Sequence, residues 1–142
     1  GSFLNLPSKN KKDLIIDNID FLRGAFSPIQ MNGQEVYKFA VREVPIILEK
    51  LFKKMNYTFD DVDWLVLHQA NQRILDSVGD RLKIPREKIL SNLENYGNTS
   101  AATIPLVMDE AIRKNRIKQN DIIATSGFGA GLSWGAALIK WG

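Results

Sequence analysis

The chain contains one histidine, His68, and it stands at the end of an apolar run in LVLHQANQRI, Leu65 to Ile74. Further along comes NYGNTSAA with Asn98, and near the C-terminus GFGAGLSW, whose glycines run from Gly127 to Gly131. These three stretches share one possible chemistry. A neutral imidazole and a side-chain amide can each donate a hydrogen bond to a carbonyl oxygen, and backbone N–H groups of a glycine turn can hold another. Such donors stabilise negative charge on a thioester or enolate oxygen, but they supply no nucleophile. The chain has no cysteine, so it offers no thiolate nucleophile, thiolate metal ligand or disulfide.

Each feature also has an ordinary structural use. A lone histidine is often a hydrogen-bonded structural residue, an asparagine at a helix start is a cap, and a glycine turn is a tight connection needing positive φ. The glycine run is not a phosphate loop, because it lacks the Lys-Ser/Thr of that motif and a strand rather than a helix follows it.

The elements that must position these groups alternate. WLVL, Trp64 to Leu67, is apolar without alternation and predicts a strand covered on both faces. His68 ends it, and a helix is expected from about Asn71 to Leu82. From Gly33 to Met55 apolar residues recur at three- and four-residue steps, predicting a helix that Pro45 should kink. FLNL, LIID and IQM, within residues 3 to 32, predict extended pieces joined by loops, with Lys9, Lys11 and Lys12 on a solvated loop. Lys83-Ile84-Pro85 predicts a turn and Ile89-Leu90 a short extended piece. A helix is expected from about Thr99 to Lys114, capped by Asn98 or Thr99. Ile122-Ile123-Ala124 then enters a glycine turn from Gly127 to Gly131, and Leu132 to Ile139 leaves it as a second strand. The pattern is α/β, a sheet layered between helices, where functional groups collect at strand ends.

With 142 residues, 44% hydrophobic and 25% charged, the chain has the composition of a soluble globular domain. No apolar run approaches the roughly 20 residues of a membrane span, and no signal-peptide pattern opens the chain. The formal charge of +3 suits an acidic partner, and no nucleic-acid-binding motif is present. Neither a membrane nor a nucleic acid is therefore expected as partner. The first residue is not Met, and the chain is expected to be incomplete.

WLVLHQAN, NYGNTSAA and GFGAGLSWGAALIKW, in this order and with these intervals, resemble the C-terminal half of the β-ketoacyl-acyl-carrier-protein synthase III family. The resemblance runs from about Met31 to the end and more weakly back through GSFLNLP. It implies the C-terminal half of a thiolase-like fold, a mixed sheet layered between helices, with residues 1–32 leading in from the other half and 33–142 forming the C-terminal catalytic domain. It implies a decarboxylative Claisen condensation of acyl-CoA with malonyl-acyl-carrier protein, without a cofactor, in which a cysteine on the absent half carries the acyl group. His68 and Asn98 then match the histidine and asparagine that hold the malonyl thioester. Phe128 matches an active-site aromatic, and Gly129 and Ala130 the oxyanion position, with Ala130 replacing one glycine of the family's run. Gly33, Tyr37, Ala70 and Asn71 match residues along the pantetheine arm. Gln69, Ala70, Asn71, Gln72 and Arg73 match the segment that meets the carrier protein, and Lys38, Arg73 and Arg81 its basic patch. The implied partners are the N-terminal half, acyl carrier protein and a second complete subunit in a homodimer, in a bacterial cytoplasm or plastid stroma. Two rival readings are a synthase III-like enzyme of secondary metabolism and a non-catalytic partner that docks a carrier protein.

Overall fold

The computed structural model describes Leu4, Asn5 and residues 30–142. Most of the expected lead-in segment, including LIID and the lysines at 9, 11 and 12, lies outside the described residues. Strand β1 (Leu4–Asn5) pairs antiparallel with β2 (Gln30–Met31), Leu4 opposite Met31. Helix α1 (Gly33–Met55) follows, opened by Asn32, whose side-chain oxygen accepts the Glu35 N–H at 3.2 Å, and closed by left-handed Asn56. Ala40, Val44 and Leu48 are buried, as the sequence pattern suggested, and Phe52 rather than exposed Met55 continues that face. Helical backbone runs through Pro45 without interruption, and its ring is buried on that same face.

Strand β3 (Trp64–Leu67) and helix α2 (Gln72–Leu82) agree with the expected pair, and Asn71 caps α2 by accepting the Ile74 N–H at 2.9 Å. Ile89 then bridges to Leu65, and a short helix α3 (Leu93–Tyr96) ends at Gly97. The next helix departs from expectation. Instead of one helix from Thr99, a 3-10 turn (Ser100–Ala102) precedes α4 (Thr103–Arg113), and neither Asn98 nor Thr99 caps α4. The Asn98 side-chain oxygen accepts the Ser100 N–H at 2.9 Å, a local bond that closes a turn in competition with helix. Ser100 accordingly takes φ of 54°, outside the right-handed helical region.

Strands β4 (Ile122–Gly129) and β5 (Ser133–Lys140) form a hairpin tighter than the sequence suggested. Gly127 and Gly129 lie within β4, in register with Gly135 and Ser133, so the turn is only Ala130, Gly131 and Leu132. Gly131 is the position that requires glycine: its φ is 143°, and a Cβ there would meet the Ser133 backbone nitrogen at 2.9 Å.

The sheet order is β3-β4-β5, with β3 parallel to β4 and β4 antiparallel to β5. Leu65 and Leu67 pack into a cluster with α1 and α2, while Val66 points the other way to Leu90, Val107, Ala111 and Ile123. Helices thus cover both faces of β3, which is why WLVL shows no polar alternation. Among the described residues no helix is long and apolar enough to cross a membrane.

Leu65 is fully buried at the centre of this sandwich. Leu65→Ala should therefore lower unfolding free energy by about 2–5 kcal/mol, measured by chemical denaturation. A loss below about 1 kcal/mol would mean the site collapses around the deletion and β3 is not the packing centre.

Candidate active site

Parallel pairing of β3 with β4 brings their C-terminal ends to one edge of the sheet, where functional groups of α/β proteins collect. His68 follows β3 directly, and its backbone N–H extends the ladder by bonding the Ser126 carbonyl at 2.9 Å. The Ala70 N–H then turns back to the His68 carbonyl at 2.8 Å, and Asn71 starts α2. One β-ladder and one capped helix therefore fix the imidazole.

A cleft of about 780 Å³ opens at this edge. His68, Asn98, Phe128, Gly129 and Ala130 all line it, so the structure brings together the histidine, the asparagine and three residues of the glycine segment that the sequence singled out. Gly33, Ala70 and Asn71 line it as well. Its walls are otherwise mostly apolar, with Met31, Val36, Ile74, Ile104, Leu132 and Trp134.

The hydrogen bonds state which atoms remain available. The Asn98 oxygen is engaged by the Ser100 N–H, which assigns the amide orientation and leaves its NH2 group as the donor toward the cleft. His68 Nδ1 lies 2.6 Å from the Thr103 hydroxyl, so Nε2 is the nitrogen left without a protein partner among the described residues. The Phe128 ring stands edge-on to the imidazole, centroids 5.2 Å apart and planes at 79°, and is itself backed by Phe39, which packs in turn against Trp134. This aromatic wall excludes water from one side of the ring. Burial pushes the His68 pKa below its ordinary value of 6.5, because imidazolium loses solvation there, so the neutral form is favoured.

Gln69 does something other than the sequence suggested. It is 0% exposed, and its amide donates to the carbonyls of Leu67 at 2.7 Å and Leu90 at 3.3 Å while accepting the Asn92 N–H at 3.3 Å. Gln69 instead ties the end of β3 to the segment that leads into the Asn98 loop. Tyr37 likewise is not on the cleft. It lies in the α1–α2 seam, its hydroxyl 2.9 Å from Ser77 and its ring under the Arg73 guanidinium at 5.2 Å. Arg81 leans on the same seam, donating to the Val41 carbonyl at 3.3 Å. Lys38 is exposed beside it but paired with Glu35 at 2.8 Å, and exposed Gln72 bonds Asp76 at 2.7 Å. Lys38, Arg73 and Arg81 therefore share one surface. Ala130 is not among the positive-φ residues, so its Cβ is tolerated where the resemblance suggested a glycine.

Thr103 was not singled out in the sequence. Its signal there is a hydroxyl at the inward position of the first turn of an apolar helix, five residues beyond Asn98.

Comparison with known proteins matches the same region. A family model described as 3-oxoacyl-[acyl-carrier-protein (ACP)] synthase III C terminal matches residues 52–141. The chain belongs to this family. It is 93% identical over 142 residues to a β-ketoacyl-[acyl-carrier-protein] synthase III of Prochlorococcus marinus (strain MIT 9301), and 59% identical over 141 residues to one of Synechococcus sp. (strain WH7803). The alignments take in 100% and 99% of this chain, and the chain spans 42% of the length of each relative. Among solved structures, a 3-oxoacyl-(acyl carrier protein) synthase III from Pseudomonas aeruginosa PAO1 superposes with TM-score 0.82 at 30% identity, covering 98% of this chain and 39% of that one. A synthase III from Thermus thermophilus gives 0.79 at 36% identity, covering 99% and 45%. The fold is thus the C-terminal half of a thiolase-like α/β architecture, and the family match includes His68, Asn98 and the glycine hairpin.

Two measurements check the site. Gln69→Ala leaves Leu67 O, Leu90 O and the Asn92 N–H without their partner and should cost roughly 1–3 kcal/mol in unfolding free energy; an undiminished stability would return Gln69 to the surface role. The second concerns pH. Between the depressed folded pKa of His68 and 6.5, the unfolded chain binds a proton that the folded chain does not. Folded stability should therefore fall as pH drops through that window and recover as pH rises. Denaturant unfolding at about pH 7 and about pH 5.5 should show this loss in the native chain and a smaller one in His68→Gln. Equal losses in both would remove His68 as its source.

Proposed function

We propose that this chain is the malonyl-thioester-binding half of a β-ketoacyl-acyl-carrier-protein synthase III that starts fatty-acid chains. The observation that carries the reading is the convergence on one apolar-walled cleft of His68 and Asn98, each with its other polar atom already engaged. The two remaining nitrogens supply a pair of donors, and the chain contains no cysteine to serve as nucleophile.

In this reading a cysteine of the preceding half takes the acyl group, acetyl in the simplest case, from acyl-CoA and releases CoA. Malonyl-acyl-carrier protein then enters with its thioester carbonyl between His68 Nε2 and Asn98 Nδ2. As the carboxylate leaves as carbon dioxide, the electron pair of the broken C–C bond moves into an enolate whose oxygen the two donors stabilise. The carbanion attacks the acyl-cysteine carbonyl. Backbone N–H groups near Gly129 and Ala130 hold the resulting oxyanion, and its collapse expels the thiolate and yields the 3-oxoacyl thioester. Phe128 shields the enolate from protonation by water. No step calls for a cofactor.

Carrier-protein docking is assigned to the α1–α2 surface with Lys38, Arg73 and Arg81, together with Ala70, Asn71 and Gln72 at the start of α2. Tyr37 contributes indirectly by supporting Arg73. The working enzyme is proposed as a homodimer of complete subunits in the cytoplasm.

The test uses the enzyme assembled with its cysteine-bearing half. His68→Ala and Asn98→Ala should each leave acylation of that cysteine by acyl-CoA intact while lowering malonyl-acyl-carrier-protein decarboxylation on the order of 100-fold or more. Unchanged decarboxylation in both variants would sink the donor roles.

A further inference from the structure

A threonine hydroxyl carries one proton, and the Thr103 hydroxyl has two acceptors in reach. His68 Nδ1 lies at 2.6 Å and the Ser100 carbonyl at 3.0 Å. The two choices have opposite consequences at the cleft. If the proton goes to Ser100, Nδ1 must itself carry hydrogen to bond Thr103, and neutral His68 is left with a lone pair on Nε2. If the proton goes to Nδ1, the hydrogen of the neutral ring sits on Nε2, and His68 is a donor.

Three observations decide between them. The Ser100 carbonyl already accepts the backbone N–H of Thr103, so it is satisfied without the hydroxyl. Nδ1 has no other partner among the described residues. The lengths agree, because 2.6 Å is ordinary for a hydroxyl donor but shorter than N–H donors usually reach, whereas 3.0 Å is the long end for a hydroxyl. The approach to Ser100 also has a simpler origin: threonine on a helix commonly adopts a rotamer that brings its oxygen near the carbonyl three or four residues back. At the buried first turn of α4 an oxygen near that carbonyl is also within reach of the imidazole.

We propose that Thr103 is a positioning residue whose hydroxyl donates to Nδ1 and thereby holds neutral His68 in the tautomer with its proton on Nε2. The inference deepens the reading above and rests on it for its consequence, since only that tautomer gives the thioester oxygen a neutral donor from His68. The asparagine loop then serves both donors. Asn98 presents its own amide, and Thr103, where the same loop enters α4, sets the proton of the other.

The test reads the tautomer directly. The enzyme assembled with its cysteine-bearing half is prepared with 15N-labelled histidine, and the His68 signals are identified by their loss in His68→Gln. Above the pH at which His68 titrates, Nδ1 should resonate as an unprotonated ring nitrogen and Nε2 as a protonated one, in the native enzyme and in Thr103→Ser. Thr103→Val keeps the shape and removes the hydroxyl; there a substantial share of the proton should move to Nδ1. Decarboxylation of malonyl-acyl-carrier protein should fall roughly tenfold or more in Thr103→Val and return in Thr103→Ser. A native spectrum with the proton on Nδ1 would overturn the proposal, and it does so whether or not the valine variant folds. An unshifted tautomer in a folded Thr103→Val would overturn it as well. If the tautomer shifts as expected but decarboxylation is unaffected there and in His68→Ala, the Thr103 assignment stands and the donor role of His68 is what fails.

Discussion

The arrangement of the cleft depends on one constraint, the parallel pairing of β3 with β4 under helices on both faces. Parallel strands end on the same side. Trp64 is in register with Ile123 and Leu67 with Ser126, so the residues next after Leu67 and Ser126 must emerge together. Those residues are His68 on one strand and Gly127-Phe128 on the other, and the edge-on contact of their rings is a direct result. Because Leu65 and Val66 are buried on opposite faces, slipping the register by one residue would exchange the contents of two cores. The position of His68 is therefore held by packing energy from the whole domain, well beyond its own hydrogen bonds.

A second constraint joins the asparagine loop to this edge. Buried amides are costly unless satisfied, and the Gln69 side chain is satisfied only where the end of β3, Leu90 and Asn92 meet. That requirement makes it a selective clamp. It sets the start of the segment whose later residues include Asn98, and Asn92 extends the connection by donating to Glu110 on α4 at 3.1 Å. The loop is thus fixed at its entry by Gln69 and Asn92, and at its exit by Thr103 against His68.

The cleft is open in this chain, and β5 contributes an exposed Trp134 to its rim. In the proposed enzyme this side receives the cysteine-bearing half. In that proposal the division of labour is chemical: donors for the thioester belong to one half, and the nucleophile to the other.

Much of this was legible in the sequence, since residues that alternate by burial leave a pattern. The three- and four-residue recurrence of apolar residues that includes Ala40, Val44 and Leu48 marked α1, and the unbroken apolar WLVL marked a strand buried on both faces. The residue types of His68, Asn98 and the glycine hairpin determined the available chemistry, and the absence of cysteine determined what the chain lacks. Pattern could not say where a single polar atom is spent. Asn98 was equally a helix cap by sequence, and only the turn it closes at Ser100 freed its NH2 group. Gln69 read from the sequence as a surface contact, and only the meeting of the end of β3 with residues 90–92 made it a buried clamp. The Thr103 hydroxyl found His68 across 35 residues of chain. Sequence periodicity reports the average face of an element, whereas hydrogen-bond partners are fixed at tenths of an ångström by how elements pack, and that only the tertiary structure decided.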